Sequence, residues 1–249
     1  MKVLGIDTAT AVASVALVED GRLVLEAAHP NGGQEVEVGK RVERPNHAVA
    51  ILPLVDGLLK RAGKSIDELS ALAVSIGPGS FTGLRIGLST VKGLAYGWSV
   101  PVIGVATLDA VAERVSSWEG LVCPFLDARR KEVYAAIFRR EAGLLERLSE
   151  DVVDSPGNVL DRIRSFGPST PCLFIGDGTS AYGELIKDAL GGRASLTSGE
   201  GFPSTASAVA RLGEQRLERS EFDTVGPLVP LYLRPSQAEL KRACHKDKS

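Results

Sequence analysis

With 249 residues, 44% hydrophobic and 24% charged, the chain has the composition of a folded protein of two ordinary domains or one large one, which excludes long disorder and a disulfide-stapled miniprotein. Lys and Arg total 29 against 31 Asp and Glu, and a net charge of −2 gives no global pull toward nucleic acid. No apolar run reaches the roughly 18–20 residues of a bilayer span, and Asp7 interrupts the start too early for a secretory signal, so a cytoplasmic protein with no membrane partner is expected.

Residues 2–28 read as three strands: Val3 to Ile6 ending at Asp7-Thr8, Val12 to Val18, then Leu23 to Leu25 after the turn Glu19-Asp20-Gly21. A loop rich in Gly, Pro and charge fills 29–45. A helix from Asn46 to Arg61 follows, with Ile51, Val55, Leu58 and Leu59 on one stripe and Pro53 expected to kink it or mark its first turn. Ala71 to Ile76 is a buried strand. The run Gly77-Pro78-Gly79-Ser80-Phe81-Thr82-Gly83 leads from it into a helix to about Gly97, capped by Ser80 or Thr82, and Pro101 to Val105 is a further strand.

The second half repeats this plan. Leu121 to Leu126 ends at Asp127, a charged turn spans Ala128 to Glu132, and Val133 to Phe138 returns as a strand. Ser155-Pro156 opens a helix as cap and first residue. Leu173 to Ile175 enters Gly176-Asp177-Gly178, and helices near 180–190 and 205–218 flank a loose stretch from Gly191 to Pro203. Asp7 and Asp127 each end an apolar strand, close to half the chain apart. Matching contexts suggest a duplicated α/β unit with a central sheet.

The chemistry these residues support is narrow. His29, His47 and His245 form no HxxH, HxxxH or HExxH pair, so a metal centre is not expected. Cys123, Cys172 and Cys244 make no CxxC and are expected as reduced thiols. Ser80 has Phe81 after it and Thr82 where a GxSxG elbow needs Gly. The Gly-rich run misses both GxGxxG and GxxxxGK[ST], leaving a tight packing turn or a phosphate loop as its two readings. Leu84, Leu88, Val91 and Leu94 recur helically beside Gly83, Gly87 and Gly93, which suits a helix-packing face. Basic clusters at Arg129-Arg130-Lys131 and from Lys241 to Lys248 read first as solvated surface and second as RNA contacts.

The run from Gly77 to Gly87, GPGSFTGLRIG, resembles the hallmark of the TsaB family of bacterial tRNA threonylcarbamoyladenosine biosynthesis, formerly filed as glycoprotease-like. Ile6-Asp7-Thr8, Asn46-His47 ahead of Ile51-Leu52-Pro53, Leu126 to Arg130 before Glu132-Val133-Tyr134, and Pro230 to Arg234 support it over about residues 2–240. The loop around 29–45 is longer and more acidic than the family pattern.

The resemblance implies the α/β actin/Hsp70-like ATPase superfold, with two ribonuclease H-like domains and central mixed sheets, here placed at 1–104 and 105–235 before a basic tail at 236–249. It implies a non-catalytic scaffold that pairs with TsaD and the ATPase TsaE, so that TsaD transfers threonylcarbamoyl to the adenosine following the anticodon. The tRNA is then reached indirectly, through the complex. On this basis His47, Ile51, Val55, Leu84, Arg85, Gly87, Leu88 and Val91 are the expected partner surface, which also serves a self-dimer of the isolated chain. Asp7, Thr8, Asp127, Gly176 and Gly178 mark a vestigial nucleotide site. Thr10 adds a hydroxyl, but Ala128-Arg129-Arg130 replaces the small turn of an active ATPase, so no cofactor beyond weak ATP or ADP is expected. An autonomous small-molecule kinase of the same superfold and a metallopeptidase are the competing readings.

Overall fold

The computed structural model describes residues 1–29, 47–167, 169–197 and 204–234. The loop beyond His29, the side chain of His47, the basic tail, Cys244 and His245 lie outside the described residues.

The first sheet is built from β1 (Lys2–Asp7), β2 (Ala13–Glu19), β3 (Arg22–His29), β4 (Ala71–Gly77) and β5 (Val102–Ala106), in the order β3-β2-β1-β4-β5. β1 and β2 run antiparallel, as do β2 and β3, whereas β1, β4 and β5 are parallel. The central strands are apolar along their whole length because both faces are covered. Leu4, Ile6, Leu72 and Val74 point to one face, where α1 (His47–Ala62) and α2 (Phe81–Trp98) lie side by side over them. Val3, Ala71 and Ala73 point to the other, against α6 (Ala206–Glu218). Large side chains thus face one helix layer and small ones the other. Gly5 completes the small set: a Cβ there would sit 2.8 Å from the Ala210 Cβ, so α6 rests close on the sheet.

The second unit repeats the order. β6 (Gly120–Arg129) is its central strand, with β11 (Cys172–Ile175) and β12 (Ala194–Leu196) parallel on one side. On the other, β7 (Glu132–Ala135) pairs with the Phe125–Arg129 end of β6, and β8 (Phe138–Glu141) with the Gly120–Val122 end. β9 (Leu144–Arg147) extends β8 and β10 (Val152–Asp154) extends β7. One bent partner strand therefore replaces the continuous strand expected over 133–138. α4 (Pro156–Ser165) and α5 (Gly178–Leu190) pack together over the apolar cluster around Phe125, Phe174 and Ile186. α3 (Thr107–Glu113) lies between the units.

Two local expectations agree with the structure. Ser80 Oγ accepts from the Gly83 N–H at 3.2 Å and caps α2, and Ser155 Oγ accepts from the Asn158 N–H at 3.3 Å ahead of Pro156. Pro53 sits inside α1 rather than in its first turn.

The assignment of the whole of 105–235 to the second domain needs correction at its C-terminal end. α6 belongs to the first sheet, and the following chain stays on that unit: Asp223 N donates to Val102 O at 2.8 Å and Leu231 N to Ile76 O at 2.7 Å. The reason is energetic, since the Val3–Ala73 face would otherwise leave apolar strands open to water. α3 and β12 were also unexpected, the latter inside the stretch read as loose. Among the described residues, no helix is long and apolar enough to cross a membrane.

Cys123 and Cys172 are both buried on neighbouring strands. Burial pushes the Cys172 thiol up to about 12, and Cys123 well above its usual range. In a Cys244→Ser variant, neither remaining thiol should react with a disulfide reagent at pH 8 until the chain is unfolded. A fast-reacting native thiol would contradict this burial.

Candidate functional site

β1 delivers Asp7 to its carboxyl end, where nucleotide chemistry would need an open carboxylate. Asp7 is instead fully buried. Its Oδ1 accepts from the Ala9 N–H at 3.0 Å, and its Oδ2 accepts from the Thr10 hydroxyl at 2.7 Å and from the Thr205 hydroxyl. Thr205 stands at the start of α6, so the helix that covers the far face of the sheet also closes this strand end. Thr8 turns the other way and donates to Gly83 O at 2.7 Å.

The Gly-rich run is shaped around that loop. A Cβ at Gly83 would collide with the Thr8 carbonyl oxygen, and one at Gly87 with the Thr8 hydroxyl. A Cβ at Gly79 would stand 2.5 Å from Ala9 O, and Ser80 N already donates to that oxygen at 2.8 Å. Two N–H groups that a phosphate could meet are taken within the chain, Ser80 N–H by the Ala9 carbonyl and Gly83 N–H by the Ser80 hydroxyl. Of the two readings of this run, the geometry matches the packing turn.

In the second unit the predicted residues converge differently. Asp127 Oδ1 accepts from the Arg129 N–H at 2.8 Å and its Oδ2 from the Arg129 guanidinium at 3.0 Å. The Asp127 N–H donates to Asp177 Oδ1 at 2.9 Å. Gly176 and Gly178 let this turn close over β6, since a Cβ at either would lie 2.5 or 2.6 Å from Phe125 O. Burial pushes the Asp177 carboxyl above its ordinary range, opposed by the hydrogen bond from Asp127. No group of three or more His, Cys, Asp or Glu side chains able to hold a metal occurs among the described residues.

The expected partner residues are largely misplaced. Ile51, Val55, Leu88 and Val91 are buried in the core of the first unit, Leu84 is buried near Gly77, and Gly87 faces Thr8 rather than a second helix. Helical spacing identified an apolar face correctly but could not say that this face turns inward. Arg85 alone of the α2 set is exposed. Its Nε donates to the Tyr232 hydroxyl at 2.9 Å, and its guanidinium lies 3.9 Å from the Phe81 ring centre. The outward faces of the two helices carry residues that the spacing argument passed over. Val49 is 67% exposed, Leu52 52% and Tyr96 71%, and open space surrounds Gly97, as it does Gly93, which the spacing had grouped with the packing glycines. Their signal was position: each falls off the apolar stripe of its helix.

Two sheets of the same strand order, with helices on both faces of the first, place the protein in the actin/Hsp70-like ATPase superfold. The model of the family described as "TsaD: tRNA N6-adenosine threonylcarbamoyltransferase" matches residues 41–241. The Bacillus subtilis (strain 168) protein named tRNA threonylcarbamoyladenosine biosynthesis protein TsaB is 31% identical over 241 residues, covering 97% of each chain. The Escherichia coli (strain K12) protein of the same name is 34% identical over 241 residues, covering 96% of each. A crystal structure from Pseudomonas aeruginosa, described as an uncharacterized protein with similarity to peptidase YEAZ, superposes with a TM-score of 0.75 at 28% identity, over 94% of this chain and 99% of that one. The chain belongs to the TsaB family, within the wider group that the TsaD model covers.

Two variants test the packing reading of the glycines. Gly83→Ala should destabilise by about 1–3 kcal/mol, because Thr8 and its strand must move. Gly93→Ala, in open space, should stabilise by up to ~1 kcal/mol through helix propensity alone. Urea melts giving equal effects would contradict it. A third variant reads Asp177. A raised carboxyl pKa favours folding below the unfolded value of about 3.9 and loses that contribution as pH rises through the folded value. Asp177→Asn should therefore gain stability relative to the parent as pH rises above the unfolded value of about 3.9. A pH-independent difference would remove the buried-carboxyl explanation.

Proposed function

We propose that the chain is a non-catalytic scaffold subunit for tRNA threonylcarbamoyladenosine modification. It pairs with a TsaD-type transferase, which moves the threonylcarbamoyl group to the adenosine following the anticodon, and it joins TsaE in the same assembly. Membership in the TsaB family supports the pathway. The observation that carries the scaffold reading is the sealed strand end. Asp7 is taken by Thr10 and Thr205, and the Gly-rich turn by Thr8 and Ala9, which favours this reading over a kinase of the same superfold. The free chain then binds ATP or ADP weakly at most, and calorimetry giving a micromolar dissociation constant would overturn that part.

The pairing surface is the outer face of α1 and α2, with Val49, Leu52 and Arg85 in place of the buried stripe. Exposed aliphatic side chains on α1 supply the apolar centre that a stable interface needs, with Arg85 of α2 beside them as a polar rim, and the same face serves the self-dimer of the isolated chain. Leu52→Glu should weaken binding to the cognate TsaD at least about tenfold, as loss of a contact worth roughly 1–2 kcal/mol does, while leaving the melting temperature unchanged. Leu84→Glu should instead unfold the first unit, because it buries a charge. Full TsaD affinity in a Val49→Glu/Leu52→Glu chain would place the interface elsewhere.

A further inference from the structure

The β6–β7 hairpin holds its charge in an unfavourable conformation. Arg129, Arg130 and Lys131 have φ of +63°, +56° and +62°, the left-handed region that side chains with a Cβ rarely occupy. Arg129 pairs with Glu132 across the ladder, so Arg130 and Lys131 form a two-residue loop with both φ positive. Loops of that kind strongly prefer Asn-Gly or Asp-Gly. The packing offers no return for the departure, because all three side chains are exposed.

The neighbouring carboxylates are already engaged. Asp127 holds the Arg129 guanidinium at 3.0 Å, and Glu132 holds Arg234. Arg130 and Lys131 have no acidic partner among the described residues. Arg234, which also donates to Ala128 O, anchors the base of the hairpin from the C-terminal segment. Two residues earlier the Tyr232 hydroxyl accepts from Arg85, so the same C-terminal segment touches both α2 and the base of the hairpin.

We propose that this tip is a direct RNA contact, with Arg130 and Lys131 bound to backbone phosphates of a structured RNA. The reading of the RNA as tRNA rests on the function proposed above. Phosphate recognition needs accessible cations and no apolar centre. A docking site for an acidic protein would be expected to include apolar or aromatic residues at its core, and the three tip residues supply none. Because the chain as a whole carries −2, any such attraction is local to this edge. The strained backbone fits the same role, since it presents two adjacent charges outward on a tight two-residue loop closed directly by the Arg129–Glu132 ladder pair.

The test replaces the loop by the residues its backbone prefers. Arg130→Asn/Lys131→Gly removes both charges and relieves the conformation, so the melting temperature should stay the same or rise. Binding of a fluorescently labelled tRNA transcript is followed by anisotropy between 50 and 200 mM KCl, for the full chain alone and with its TsaD. The control, Lys60→Ala/Arg61→Ala, removes equal charge from the exposed end of α1. The expected result is at least a tenfold loss of tRNA affinity in the hairpin variant and none in the control. The slope of log K against log salt should also fall by about 1–2, near 0.9 per lost phosphate contact. Unchanged affinity and slope would overturn the proposal, as would absence of tRNA binding both with and without TsaD. So would loss of TsaD affinity with tRNA binding intact, which would make the hairpin a protein contact. Hairpin-dependent tRNA binding by a chain that does not pair with TsaD would sink the scaffold reading and leave this one standing.

Discussion

The contact between Thr8 and α2 sets the geometry of the first unit. The Thr8 hydroxyl reaches Gly83 O, and residues 83 and 87 have no side chain to prevent it. This brings the N-terminal turn of α2 directly onto the end of β1. Once the helix is fixed there, its rotation is fixed too. Leu88 and Val91 must enter the core with Leu4, Ile6 and Val74, Leu84 must be buried near Gly77, and Arg85 must face out. A small helix face in this position therefore acts within the domain. Its consequence for other proteins is indirect: it decides which residues are left on the surface.

A second consequence falls on the strand end. With the backbone at 8–10 pulled against α2, Ala9 O accepts from Ser80 N, and Asp7 is left facing α6, whose Thr205 hydroxyl completes its hydrogen bonding. A buried carboxylate with every near oxygen satisfied by its own chain is stable but offers nothing to a ligand. Among the described residues, no helix returns over the corresponding turn of the second unit. Asp127 and Asp177 there remain partly accessible, and a carboxyl raised by burial persists. The two halves share a strand order but differ in what covers their strand ends, and that difference follows from the single return of α6 to the first sheet.

Much of this architecture was legible from local chemistry. The apolar runs ending in Asp7 and Asp127 marked both central strands, and Ser80 and Ser155-Pro156 marked two helix starts through capping alone. What was not legible depends on partners distant in sequence. Nothing local says that 206–218 covers Val3 and Ala73 rather than the second sheet. Nor does helical period reveal which way a stripe of Leu and Gly turns, since a core face and a docking face have the same spacing. The bend between β7 and β8 was hidden for a related reason: Ala136 and Ile137 are as apolar as the strand residues around them, and only the change of pairing along β6 exposes it.

The C-terminal segment shows how the halves are held in register after the chain has crossed between them. Asp223 ties it to β5, Lys92 on α2 donates to Gly226 O at 2.8 Å, Leu231 adds to Ile76, and Arg234 reaches Glu132 and Ala128 in the second unit. These bonds are spread over about ten residues, and each is modest, near 1 kcal/mol in net terms. Together they make a strap whose last charged contact is the only one of the four on the second unit. The Arg234–Glu132 pair lies at the root of the β6–β7 hairpin, where its guanidinium also occupies the Ala128 carbonyl. The hairpin tip is thus oriented by a segment anchored mainly on the first unit. Any ligand that gripped the tip would feel the relative placement of both units, and any change in that placement would move the tip.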